Sequence, residues 1–355
     1  MNRRDFIKTA FFGALSGTIF GKSTVCVAET GVAKVPNINT KHPSIKQSQS
    51  VENLRQRVRE ALTGPVCSIP TPFRKSDDAI DKDALAKMID FQIASGFKMI
   101  FLTPGNSHYN ILTTGEMYEL NKFCVEYTNK RALVCVTEYG SSTRRSVEMA
   151  RAMKAAGADL MLPRCASWGG SVNQDTLVDF YLACAKEIPL MLIYPAAAST
   201  ENSISVQERV IAQTDRVLAI KDDVCNHISR RMTLKFADKC AVFAGGQKQH
   251  YLNVLPYGAT GYLSTFGMFR PDIAWKFNEA CNTGNRKMMT AIIRDYDMPY
   301  FSLVARQTGG FDAAIHATLE LFGFGSRHRR APYANMSDAE MEVFKDALMK
   351  LNIIK

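Results

Sequence analysis

Val217-Leu218-Ala219-Ile220-Lys221-Asp222-Asp223 is the stretch on which the reading of the fold turns. A short apolar run goes straight into a lysine and two acids, the pattern of a strand buried on both faces in a parallel sheet. A lysine on the last residue of such a strand has its stem in the core and its amine at the carboxyl edge of the sheet. Enclosed α/β folds carry out their chemistry at that edge. Burying an ammonium is costly, so an enclosed lysine offers more free amine than a solvated one, and a free amine attacks carbonyls to form a Schiff base. The alternative for Lys221 is a strand-end lysine whose amine reaches water beside Asp222 and Asp223.

Outward from this strand, apolar runs at 66–70, 99–103, 133–138, 160–163, 190–194, 217–221, 241–244 and 261–264 alternate with helical patterns. The helices are expected at 82–95, 114–127, 143–156, 174–186, 206–213, 227–237, 249–256 and 271–282, with a lead-in amphipathic helix at 51–62. Eight βα units make an α/β fold, the (β/α)8 TIM barrel, over residues 51–283, and Lys221 ends its sixth strand. A doubly wound open sheet would carry a Gly-rich phosphate turn after its first strand, and Pro70-Thr71-Pro72-Phe73 is not one.

The N-terminus belongs to no domain argument. Arg3-Arg4-Asp5-Phe6-Ile7-Lys8, an apolar stretch with small residues over 9–20 and Val25-Cys26-Val27-Ala28 read as a twin-arginine export signal, residues 1–28. A basic N-terminus beside an ordinary hydrophobic helix is the alternative. The signal reading implies a bacterial source and a periplasmic destination; residues 29–50 are polar, without periodicity, and read as a linker. No run reaches the roughly 18 apolar residues of a membrane span, so no stable insertion is expected after export. Of the formal charge of +10, the signal carries +3, leaving +7 on the remainder. Those positive residues are scattered, apart from Arg327-His328-Arg329-Arg330, which argues against a nucleic-acid partner and allows attraction of small anions. Eight cysteines beyond Cys26 show no C-x-x-C spacing and sit mostly in apolar runs, as core residues do. Export of an already folded protein is compatible with buried thiols.

Several motifs then stand out: Thr71-Pro72-Phe73 with Ile80-Asp81 and Ala84-Leu85, Gly140-Ser141-Ser142-Thr143, and Ala155-Ala156-Gly157-Ala158-Asp159. Ala219-Ile220-Lys221-Asp222, Gly258-Ala259-Thr260-Gly261-Tyr262-Leu263-Ser264 and Met336-Ser337-Asp338 complete the set. Together, over residues 65–353, they resemble the dihydrodipicolinate synthase / N-acetylneuraminate lyase family. The resemblance implies a barrel with a C-terminal helical extension, residues 284–355, assembled as a homo-oligomer, tetramer or dimer. It also implies class I lyase or aldolase action on pyruvate or another 2-oxo acid, with Lys221 as the Schiff-base residue and no cofactor.

The departures matter equally. Where the family carries G-T-T-G-E after strand two, this chain has Thr103-Pro104-Gly105-Asn106-Ser107-His108-Tyr109. Thr103 and Ser107 offer hydroxyls there, Gly105 its amide and Asn106 a side-chain donor; Thr113-Thr114-Gly115-Glu116 lies one loop later and reads as a helix cap. On strand five the family's tyrosine slot falls on Ile193, with Tyr194, the candidate catalytic tyrosine, one place along; one step along a strand turns a side chain to the other face, and the alternative is a packed tyrosine with its hydroxyl at the rim. Ala196-Ala197-Ala198-Ser199-Thr200 lacks the arginine that synthases use for a second substrate, which argues against dihydrodipicolinate synthesis.

Other strand ends offer Glu138 as a general acid or base, or as an ion-paired carboxylate, and Arg164 as a carboxylate clamp. Trp168 is a candidate aromatic wall, His108 and Tyr109 candidates for the mouth, and Gly245 a point of close backbone approach or a plain turn. With Thr71 and Ser264 these complete the candidate substrate-binding set. No histidine–carboxylate spacing fits a metal, so none is expected. The leading reading is a Schiff-base lyase or aldolase; the alternatives are a dehydratase or decarboxylase using the same lysine, and a non-catalytic barrel that binds a small anion.

Overall fold

Eight short strands form one all-parallel sheet: β1 (Gly64–Val66), β2 (Met99–Phe101), β3 (Leu133–Thr137), β4 (Leu160–Leu162), β5 (Leu190–Ile193), β6 (Val217–Asp222), β7 (Ala241–Ala244) and β8 (Gly261–Leu263). The structure is a computed structural model and describes residues 45–354, apart from 169 and 194–199. The stretch expected to be an export signal and Cys26 therefore lie outside the described residues, as do Tyr194 and 196–199. Each strand is followed by a helix: α2 (Lys82–Ala94), α3 (Thr114–Thr128), α4 (Thr143–Ala156), α5 (Gln174–Ala185), α6 (Thr200–Ile211), α7 (His227–Phe236), α8 (Gln247–Val254) and α9 (Pro271–Asn282). This is the expected (β/α)8 barrel.

Ladder pairing runs β1-β8-β7-β6-β5-β4-β3-β2, leaving β1 and β2 as the seam. The seam is closed by a parallel bridge between Ser68 and Phe101, with Ile69 N donating to Phe101 O at 2.9 Å. Side chains stitch it further. Asn106 Nδ2 donates to Ser68 Oγ at 2.7 Å, Ser107 Oγ to Ile69 O at 2.5 Å and Thr71 Oγ1 to Ser107 O at 2.6 Å.

The barrel has two cores. Met99, Phe101, Leu133, Cys135, Leu160, Leu162, Met191 and Phe243 fill its interior, while a larger outer layer packs strands against helices. Helix α1 (Ile45–Ala61) adds Val58, Ala61 and the following Leu62 to the inner core, forming a floor at the amino ends of the strands. Arg55 fixes it there, donating to Val217 O at 3.1 Å and Lys239 O at 2.7 Å, where β6 and β7 begin. The helix starts six residues earlier than its apolar spacing indicated, so residues 45–50, read as linker, are helical.

Beyond the barrel come α10 (Arg286–Ile292), a π-turn (Ile293–Asp297), α11 (Met298–Val304), α12 (Gly310–Leu321) and α13 (Asp338–Lys350), the C-terminal helical region. Ser337 caps α13 through a capping box with Glu340. Lys248 on α8 joins this region to the barrel. Its amine donates to Asp297 Oδ1 at 2.7 Å, both side chains are fully buried, and the rings of Phe266, Tyr262 and Phe277 surround it at 4.7, 5.9 and 5.9 Å. Burial lowers the Lys248 pKa and raises that of Asp297.

The basic run at 327–330 is not an open anion patch. Arg327 pairs with Glu320 and Asp338, His328 with Asp78, Arg329 with Asp312 and Arg330 with Glu116. All eight described cysteines are free thiols, and five of them are buried, as core residues should be. Among the described residues, no helix is long and apolar enough to cross a membrane.

Candidate active site

Lys221 is placed by a local irregularity. Leu190 pairs with Val217 but Met191 with Ala219, so Leu218 is an extra residue in β6. From there the alternation turns Ala219 and Lys221 toward the barrel interior and Ile220 and Asp222 toward the helices. The Lys221 side chain is 7% exposed, with Ile193 on β5 and Phe243 on β7 as its register neighbours.

The two acids separate. Asp222 faces outward, fully buried: its Oδ2 meets His250 Nε2 at 2.9 Å, and its Oδ1 accepts from Ser229 Oγ at 3.1 Å and Val224 N at 3.0 Å. Asp223 turns back inward and takes the Lys221 amine with both carboxylate oxygens. Asp223 and its partner contacts had one sequence signal, the period-2 alternation after Lys221. His250 and Ser229 had none, since both come from other elements.

Glu138 differs from the expectation. It lies on the outer face of its strand, two residues beyond the outward Val136, and is 1% exposed. Its carboxylate accepts hydrogen bonds from Ser146 on α4, from Ser141 and from the Arg164 backbone, and its pKa is raised by burial. It makes no ion pair among the described residues. The inward residue of β3 at that level is Thr137, whose hydroxyl donates to Leu162 O at 2.8 Å. On β5 the inner position beside Lys221 is Ile193; Tyr194 lies outside the described residues.

The loop after β2 does different work from that expected of it. The Ser107 hydroxyl and the Asn106 amide are engaged across the β1–β2 seam, as is Thr71, while Thr103 N donates to Ser107 Oγ at 3.1 Å. Thr103 is 6% exposed, and Gly105 is exposed with open space at its Cα. Neither His108 nor Tyr109 is exposed at the mouth: both are 1% exposed, and Tyr109 Oη donates to Asn121 Oδ1 at 2.6 Å. Thr113 caps α3 with Glu116, as the sequence indicated.

His108 leads to the C-terminal helices. Its Nε2 meets Asp312 Oδ2 at 2.8 Å, its ring stacks on His316 at 4.8 Å and on Phe73 at 5.8 Å, and Arg329 also holds Asp312. Burial, with the His108 charge adding, keeps His316 neutral down to about 3. For Asp312, burial alone would raise the pKa; the His108 and Arg329 hydrogen bonds prevail and hold it at about 2. His108, Asp312 and His316 bring ligand-type atoms within 4.8 Å of one another, a grouping that sequence spacing could not reveal. The arrangement does not suit an ion. A metal lies in the plane of each imidazole it binds, whereas these rings are stacked face to face at 12°, and a guanidinium already sits on the carboxylate.

At the remaining strand ends, Arg164 is half-buried beside Tyr181 and makes no side-chain hydrogen bond or ion pair among the described residues. Ser264 is fully buried with its hydroxyl unpartnered. Trp168 is 87% exposed, so it walls nothing in this structure. A Cβ on Gly245 would fall 1.8 Å from Asp223 Oδ1, so the close approach there is to a carboxylate of the chain itself. Among the described residues, the site is thus a buried lysine at the barrel mouth, a facing carboxylate, an arginine without a partner and a hydroxyl without one.

Comparison with known proteins agrees with the fold. A 4-hydroxy-tetrahydrodipicolinate synthase of Lachnoclostridium phytofermentans is 23% identical over 300 residues, covering 82% of this chain and 99% of that one. A probable 5-dehydro-4-deoxyglucarate dehydratase of Cereibacter sphaeroides is 26% identical over 310 residues, covering 82% and 96%. The crystal structure of dihydrodipicolinate synthase from Oceanobacillus iheyensis superposes with a TM-score of 0.73 at 18% identity, covering 84% of this chain and all of that one. The model of the dihydrodipicolinate synthetase family matches residues 61–351, and the chain belongs to that family.

Proposed function

We propose that the protein is a Schiff-base lyase or aldolase acting on pyruvate or another 2-oxo acid, with Lys221 as the nucleophile. The observation that carries this reading is the placement of Lys221: stem enclosed, amine at the carboxyl end of β6, facing the barrel mouth. Reductive trapping of a 2-oxo acid on Lys221 tests it. Dehydration of a sugar-derived keto acid on the same lysine is the second reading, favoured by the Cereibacter relative and by the absence of arginine from 196–200. Product analysis separates the two, since carbon–carbon cleavage by an aldolase gives two carbon fragments, whereas a dehydratase releases water, joined by carbon dioxide where decarboxylation accompanies it.

In this reading Arg164 holds the substrate carboxylate, because it is the strand-end cation left without a partner among the described residues. Arg164→Ala should then raise KM for an active 2-oxo acid more than it lowers kcat. Loss of a charge-assisted contact corresponds to about 2–3 kcal/mol, or roughly 30- to 150-fold. A change under about threefold would move the carboxylate to the backbone amides of Gly105 and Asn106, since that of Ser107 donates to Thr103 O.

The reading includes export in the folded state to the periplasm and assembly as a tetramer or dimer. Replacing Arg3 and Arg4 together by lysine should leave the protein in the cytoplasm with its N-terminus uncleaved. Undiminished periplasmic yield would remove both the signal and the folded-export account of the buried thiols. Sedimentation of the purified protein tests the assembly.

A further inference from the structure

We infer that Asp223 is the catalytic acid–base group of the Schiff-base cycle, in contact with the reacting nitrogen; this rests on the lyase or dehydratase reading of Lys221. Three observations carry it. Both Asp223 oxygens hold the Lys221 amine, and the carboxylate is 37% exposed, so one edge stays open to water and substrate. Asp222 is unavailable, being held outward by His250, Ser229 and the Val224 amide. Gly245 leaves the space into which the carboxylate folds, since any Cβ there would fall 1.8 Å from Oδ1. Among the described residues, Ile193, the register neighbour of Lys221, has no proton to give, while at the end of β3 Thr137 donates to Leu162 O and Glu138 faces α4.

The chemistry closes on this pair. The ammonium passes one proton to Asp223, and the freed nitrogen lone pair forms the N–C bond while the C=O π pair moves to oxygen. Asp223 returns its proton to that oxygen, giving a carbinolamine. It then takes the second nitrogen proton and delivers it to the hydroxyl as the C–O bond breaks. Water leaves, and the nitrogen lone pair completes the iminium. Lysine ammonium plus carbonyl thus becomes iminium plus water, and Asp223 ends as a carboxylate beside a cation, as it began. A site in which the same ion pair brackets the reaction avoids creating an unpaired buried charge at either end.

The test compares the rate at which a 2-oxo acid and borohydride label Lys221 in the wild type, Asp223→Asn and Asp223→Ala. Asp223→Asn preserves shape and cannot shuttle a proton, so labelling should slow by about 100-fold or more in protein that stays folded. Formate should restore the rate in Asp223→Ala in a concentration-dependent way, which a merely structural role would not produce. Labelling of Asp223→Asn within threefold of wild type, or absence of formate rescue in a folded Asp223→Ala, would overturn the proposal while leaving the lysine chemistry intact. Absence of labelling in the wild type with every 2-oxo acid tried would instead sink the Schiff-base reading, and this role with it.

Discussion

Wild-type protein treated with a suitable 2-oxo acid and borohydride is expected to gain one reduced ligand mass per chain, on the peptide carrying Lys221, and Lys221→Arg is expected to gain none. An imine is reduced to a secondary amine that survives digestion, so the label reports where the covalent bond formed. A solvated lysine, near pKa 10.4, presents only about 0.04% free amine at neutral pH. The exposed lysines should therefore label slowly and without preference. Arginine keeps the positive charge facing Asp223, and with it the ion pair, yet a guanidinium does not form the imine. The variant should stay folded while losing turnover by several orders of magnitude, a separation of stability from chemistry that few other substitutions offer. Pyruvate alone is not a sufficient probe, because the loops after β2 and β5 depart from the family pattern. A panel of 2-oxo acids and keto-sugar acids is required. If none labels Lys221 above the other lysines in folded protein, the non-catalytic anion-binding barrel becomes the better reading.

The second large effect concerns stability. Asp297→Asn is expected to destabilise the fold by about 3–5 kcal/mol at neutral pH, because it leaves the Lys248 ammonium buried without its counter-ion. The protein has one escape, which is to bury Lys248 as a neutral amine. Removing a proton at pH 7 from a group of ordinary pKa near 10.4 costs about 4.6 kcal/mol, so both routes give the same scale. The routes differ in pH dependence. If the amine neutralises, its folded pKa lies far below the unfolded value. The stability of the variant then grows by about 1.4 kcal/mol per unit from pH 7 toward pH 10 and is lost as pH falls. The three rings around Lys248 soften the penalty, since aromatic faces attract a cation. Replacing both partners, Lys248→Met with Asp297→Leu, should recover most of the loss. Urea unfolding of the three variants at pH 7 and pH 9 checks all of this. A loss below about 1 kcal/mol for Asp297→Asn would mean that water reaches the pair.

The strands and helices were legible because a barrel alternates two unlike signals, a short apolar run and an amphipathic period. Six of the eight helices around the barrel begin at the residue the pattern indicated. Where the reading slipped, the cause was local. The apolar pattern puts strand β1 at 66–70, but it pairs over Gly64–Val66: a Cβ on Gly261 would fall 2.2 Å from Gly64 O, Gly64 has φ +86°, and glycines carry no hydrophobic signal. Helix α6 begins six residues before its apolar period does, its first turns being written in Thr200-Glu201-Asn202-Ser203. The site was legible in part. Lys221 is visible as a lysine closing an apolar run. The direction of Glu138 is not, because parallel strands are apolar on both faces and their alternation leaves no trace in composition. The engagement of His108 with Asp312, 204 residues away, is likewise beyond any local pattern.

The floor of the barrel carries a practical lesson about where this domain starts. Eight strands and their helices can be counted from residue 64, and a boundary drawn just before β1 would look complete by topology. Yet Val58, Ala61 and Leu62 form part of the innermost core, and Arg55 ties off the carbonyls from which the strand bearing Lys221 departs. An expressed fragment beginning at Thr63 would open that core to water at one end while leaving every candidate active-site residue in the chain. Loss of activity in such a fragment would therefore say nothing about catalysis; it would report a barrel unsealed from beneath.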